Sequence, residues 1–158
     1  MNNDQEYLIN RLTETHHEIQ KIIERIDLDI QVYGDSEWQV RDVIGHIATW
    51  DREMIKTLQG FMDEKEYFIP GIEEDESDFN EIAVEEQRKL SNQRILDEWN
   101  LARKNLLAVI QDIPDDRFSG DFVFPWGDER GSVRILLDYF IEHDEEHRDE
   151  IINALKSS

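Results

Sequence analysis

A chain of 158 residues is long enough for one domain with a real apolar core, and 39% apolar with 35% charged residues suits a helical globular protein better than a disordered one. The 38 acidic against 17 basic residues give a formal net charge of −21 with no lysine–arginine cluster, which argues against nucleic acid or an anionic membrane as a direct partner. Cysteine is absent, so any metal must be held by nitrogen and oxygen ligands, and thiol chemistry would need a thiol brought from outside.

The opening residues, MNNDQEYLIN, carry neither a basic nor an apolar leader pattern, and no stretch approaches a membrane span, so a cytoplasmic location is expected. Leu8, Leu12, Thr15, Ile19, Ile22 and Ile26 then recur at alternating steps of four and three. This spacing predicts a first helix from an N-cap at Asp4 to about Asp27. Val43, Ile47, Trp50, Met54, Leu58 and Phe61 form the stripe of a second, from about Gln39 to the region of Gly60 to Asp63.

The acidic stretch DEKEYFIPGIEEDESD breaks the period at Pro70 and Gly71 and reads as a long crossover. Beyond it, Ile82, Leu90, Ile95, Trp99, Ala102, Leu106, Val109 and Ile113 recur without a glycine or proline before Pro114. They predict one long third helix capped by Ser77 or Asp78. A second long connection, PDDRFSGDFVFPWGDERG, contains Phe118, Phe122, Val123, Phe124 and Trp126, aromatic material suited to walling a pocket. Ser132 caps a fourth helix with Leu136, Phe140, His143, His147, Ile151 and Ala154 on one seam. The expected architecture is all-α: a four-helix bundle with long crossover connections, forming a single domain over residues 1–158.

Within HDEEH, His143 and His147 project from one helix face a turn apart, a spacing at which two imidazoles can ligate one ion. An open catalytic site usually takes three protein ligands. His46, on the flank of the second helix's buried stripe, is the leading third candidate. A histidine on an apolar face is also an ordinary hydrogen-bonded core residue, and for His46 alone that reading suffices. Glu150, three residues past His147, is placed to orient an imidazole, to bind metal or to act as a general base. Asp144 and Glu145 read as a solvated acidic face, and His16 and His17 as marginal ligand candidates. Trp50 and Trp126 are the candidates for a pocket wall.

The segments WQVRDVIGHIATWD, DFN, FPWGDERGSV and HDEEHRDEI, spread over nearly the whole chain, resemble those of the DinB/YfiT-like superfamily of four-helix bundles. Gln39 stands where that family often has a serine or threonine. The resemblance implies a divalent-metal triad of His46, His143 and His147, and a homodimer. It also implies one of several reaction types, including S-transfer from bacillithiol, mycothiol or glutathione, isomerisation and hydrolysis. The expectation is a metal-dependent enzyme holding zinc or nickel and acting on a small electrophilic molecule, with a low-molecular-weight thiol as cosubstrate. Metal-dependent hydrolysis, or a non-catalytic metal- or small-molecule-binding bundle, stands as the alternative.

Overall fold

The computed structural model describes residues 1–33, 37–72 and 76–157. Residues 73–75, part of the predicted crossover, lie outside the described residues. Among the described residues five α-helices follow one another: α1 (Asn3–Ile23), α2 (Val40–Met62), α3 (Glu76–Gln87), α4 (Asn92–Asp112) and α5 (Val133–Ser157). A 3-10 turn (Asp115–Arg117) and a two-stranded hairpin, β1 (Phe122–Val123) with β2 (Arg130–Gly131), join α4 to α5. None of the described helices is long and apolar enough to cross a membrane.

The cap of α1 is Asn2, two residues before the expected one. Asn2 accepts from the Gln5 N–H while the Gln5 side chain accepts from the Asn2 N–H, a reciprocal cap that leaves Asp4 inside the first turn. The helix ends at Ile23, short of Asp27. On α2, the Asp42 carboxylate accepts from the Gln39 N–H at 2.9 Å, so the glutamine in place of serine or threonine still begins the helix. Ser132 accepts from the Ile135 N–H at 3.3 Å, as its capping position on α5 requires.

The single long third helix is instead two, α3 and α4. The predicted caps Ser77 and Asp78 fall within the first turn of α3. The break needs neither glycine nor proline. Ser91 caps α4 by accepting from the Arg94 N–H at 3.1 Å, and the Arg41 guanidinium of α2 donates to the carbonyls of Gln87, the last residue of α3, and of Leu90 in the turn that follows. Carbonyls that helix continuation would have satisfied are satisfied from a distant helix. Ile82, counted in the expected stripe, is 67% exposed, as a helix turned away from the α4 register allows.

Hydrogen bonds fix the helix directions. Asp4 pairs with Arg134 and Glu18 with Arg148, so α1 and α5 run parallel. Arg41 meets Asn92 and Asp51 meets Arg103, so α2 and α4 also run parallel. Gln5 donates to the carbonyls of Ile110 and Ile113 while His16 meets Asn100, which sets α1 antiparallel to α4. Up, down, down, up is the resulting order of α1, α2, α4 and α5. The first long connection therefore travels the length of the bundle, and α3 makes the return along α2, with Asn80 bonded to Trp50 and Gln87 to Gly45 and Thr49. The second connection, expected to be another crossover, starts and ends at the same end of the bundle and folds into the hairpin there. Gly127, with φ of 94°, supplies the left-handed residue at its turn.

The core is divided. One apolar cluster includes Leu12, Met54, Leu106, Leu136 and Phe124; a second includes Ile19, Ile44, Ile47, Trp99 and Ile151. Between them along α4 lies Arg103, 2% exposed. Its guanidinium donates to both Asp51 oxygens at 2.9 and 3.0 Å, to Asp144 at 3.1 Å and to the Leu12 carbonyl at 2.9 Å. A single side chain of α4 thus bonds the other three long helices. Asp144, expected on a solvated face, is instead 2% exposed within this network. The carboxylates compensate a buried guanidinium that would otherwise stand unpaired, while burial pushes the Asp51 carboxyl up to about 6 against the pull of Arg103.

Candidate metal centre

Helix α2 contributes His46 and α5 contributes His143 and His147. The HxxxH spacing stacks the last two on one face, and the packing of α5 against α2 brings the third to them. Ring centroids are separated by 4.3 Å for His143 and His147, 4.8 Å for His46 and His147, and 5.4 Å for His46 and His143. One ligand atom from each lies within 4.8 Å of the others. His46 and His147 are buried and His143 is partly open.

The Nε2 atoms of His143 and His147 are 3.1 Å apart. Nitrogens about 2.0–2.1 Å from a shared ion sit at roughly such a separation, so the donor set fits a divalent cation. Burial, reinforced by His147 and then His143, holds His46 well below the ordinary imidazole range. Burial followed by His147 lowers His143 to about 4. Both rings are therefore neutral at neutral pH, with lone pairs available to a metal.

Glu150 accepts from His147 Nδ1 at 2.9 Å and from the Tyr33 hydroxyl. Burial opposes its ionisation, yet these two hydrogen bonds outweigh it and bring the carboxyl below its usual range. A carboxylate on Nδ1 leaves Nε2 of His147 facing the other two rings, the arrangement that fixes a ligating tautomer. The sequence offered Glu150 as an orienting group, a ligand or a base; its contacts match the first.

Two clefts meet at the cluster. The smaller, about 490 Å³, is lined by His46, His143 and His147 with Tyr33, Trp38 and Asn80 among its neighbours. The larger, about 780 Å³, is lined by Trp50, Trp126, Tyr139, Phe140 and His143. Both expected pocket tryptophans thus line one cleft, and His143 and Glu76 belong to both clefts. Sequence reasoning missed Tyr33 and Trp38, which lie in the connection before α2; the Trp38 ring is 5.2 Å from His46. An aromatic pair just ahead of a helix with a buried histidine was their one local signal. His16 is not part of the cluster: it stacks on Trp99 at 3.8 Å and bonds Asn100, while His17 is exposed.

Fold and site together define a four-helix bundle of up-down-down-up order with three histidines converging between α2 and α5. The chain belongs to the DinB superfamily, whose family model matches residues 8–151. Among solved structures it is similar to YfiT from Bacillus subtilis, described as a probable metal-dependent hydrolase with an unusual four-helix bundle topology. That match has a TM-score of 0.77 and 18% identity, and covers 99% of this chain and 89% of the other. It is also similar to a mycothiol-dependent maleylpyruvate isomerase, with a TM-score of 0.75 and 10% identity over 96% of this chain. The chain spans 63% of that isomerase's length. No curated protein matched by sequence.

Proposed function

We propose that this protein is a divalent-metal-dependent enzyme that joins an external thiol to a small electrophile. The observation that carries the reading is the position of His143, a member of the histidine cluster that also lines the aromatic cleft, so that two adjoining clefts open on one centre. Two reactants need two places, and a chain without cysteine needs its sulfur from outside.

His46, His143 and His147 hold the ion. Zinc and nickel both suit three imidazoles. When bound, the ion supplies a Lewis acid that lowers the pKa of a thiol or water and polarises an electrophile. Glu150, held by Tyr33, orients His147 through Nδ1. Trp50 and Trp126 wall the electrophile's cleft and limit water. In the reaction, the thiol sulfur forms a bond to the electrophilic carbon. The leaving group departs with its bonding pair, and the thiol proton passes to solvent.

Hydrolysis at the same centre is the second reading, favoured by the likeness to YfiT and its description. Incubation of zinc- or nickel-loaded protein with activated aryl halides and esters, with and without glutathione, bacillithiol or mycothiol, separates the two. Product formation that requires thiol and metal is expected. Ester cleavage at the same rate without thiol would replace the transfer reading with hydrolysis, and no turnover in either arm would overturn both.

A further inference from the structure

The larger cleft has a one-sided chemistry. Its charged lining is Glu76, Asp128 and Glu129, with no lysine or arginine among the described residues that form it. Arg103 stands behind Phe140, 6.0 Å from the ring centroid, with its guanidinium engaged by Asp51 and Asp144. The indole N–H of Trp50 is given to Asn80 and that of Trp126 to Glu129, each at 3.0 Å. With both donors engaged inside the protein, these rings offer a ligand their π surface rather than a hydrogen bond. Among the lining side chains, the remaining N–H and O–H donors belong to His143 and Tyr139. An organic anion entering here meets carboxylates and few donors. An organic cation meets carboxylates and aromatic walls, the two environments that attract it.

We infer that the larger cleft binds a small organic cation, an apolar or aromatic body carrying an ammonium or comparable nitrogen beside Asp128 and Glu129, with its other end toward His143. The inference rests on reading this cleft as the substrate site. Asp128 and Glu129 line the larger cleft and not the smaller one, so the cationic group sits away from His46 and His147. The −21 net charge adds a general pull on cations. The cleft adds a local one, and the two are separable by salt, because about 8 Å of screening length at physiological ionic strength damps distant charges more than near ones.

The test uses benzyltrimethylammonium and phenylmethanesulfonate, which share a benzyl group and carry opposite charges. Each is titrated into the full chain at physiological salt, with and without zinc, and followed by tryptophan fluorescence and calorimetry. The cation is expected to bind at least about tenfold tighter than the anion. An Asp128→Asn, Glu129→Gln double variant, which keeps an acceptor for the Trp126 N–H, is expected to lose most of that preference while taking up zinc as the parent does. Equal or tighter binding of the sulfonate, no saturable binding of either probe, or an unchanged preference in the double variant would overturn the inference. Zinc uptake is read separately. In the parent protein, no cation preference with normal uptake counts against the cation site alone, and no uptake with an intact preference counts against the metal reading alone.

Discussion

The His46 and His147 rings, one from α2 and the other from α5, lie 4.8 Å apart at 84° to each other, and His147 is held from its far side by Glu150. The helix pair that sets this distance is in turn tied by Arg103, which bonds Asp51 of α2 and Asp144 of α5. The geometry of the histidine cluster and the packing of the bundle are therefore one problem in this protein.

The Glu150 contact predicts a graded loss of metal affinity. Removing the carboxylate charge in Glu150→Gln leaves His147 less basic and its tautomer less fixed, and zinc affinity should fall by roughly 10–100-fold. Tyr33→Phe, which removes one hydrogen bond to Glu150, should have a smaller effect of the same sign. Competition against a chromophoric chelator measures both. Parental affinity in Glu150→Gln would show that the carboxylate does not support the ligand.

The buried guanidinium predicts a large stability effect. Arg103→Met strands Asp51 and Asp144 without their shared partner, and a buried ion pair broken on one side typically costs about 3–5 kcal/mol. Urea unfolding should show it. Adding Asp51→Asn and Asp144→Asn to Arg103→Met should restore part of the loss, since no uncompensated charge is then left. A loss below about 1 kcal/mol in the single variant would contradict the network's importance.

Acid sensitivity follows from His16. Burial, then the nearby Arg103 charge, lowers it to about 4 from an ordinary value near 6.5. Between those values the unfolded chain binds a proton that the folded chain refuses. Its contribution is therefore fully present above about 6.5 and is lost as pH falls toward 4. In metal-free protein, His46 and His143 act in the same direction. His16→Gln should lose less stability than the parent between pH 7 and pH 4.5, by roughly 2 kcal/mol, in paired denaturant titrations. Identical losses would show that His16 titrates normally in the fold.

Much of this molecule was legible in its sequence because periodicity is a local property. The stripes of α1, α2 and α5, and the placement of His46, His143 and His147 on them, follow from spacing alone, and the family resemblance supplied their convergence. What was not legible depends on partners far along the chain. The turn between α3 and α4 carries only a serine cap locally, and its stability needs Arg41 from another helix. Asp144 reads as one more acid in an acidic run until Arg103 is seen to lie against it. Tyr33 acquires its role from Glu150, more than a hundred residues later. The hairpin escaped notice because its two strands are two residues each, too short to show alternation.

Cobalt(II) titration of untagged, metal-stripped protein, followed by visible absorption, tests the central claim most directly, with His46→Ala measured beside the parent. One ion per chain with a nitrogen-rich ligand-field spectrum is predicted for the parent, and loss of that stoichiometric site is predicted for His46→Ala. Retention of the same site and spectrum in a folded His46→Ala variant, or no stoichiometric binding by the parent, would contradict the account.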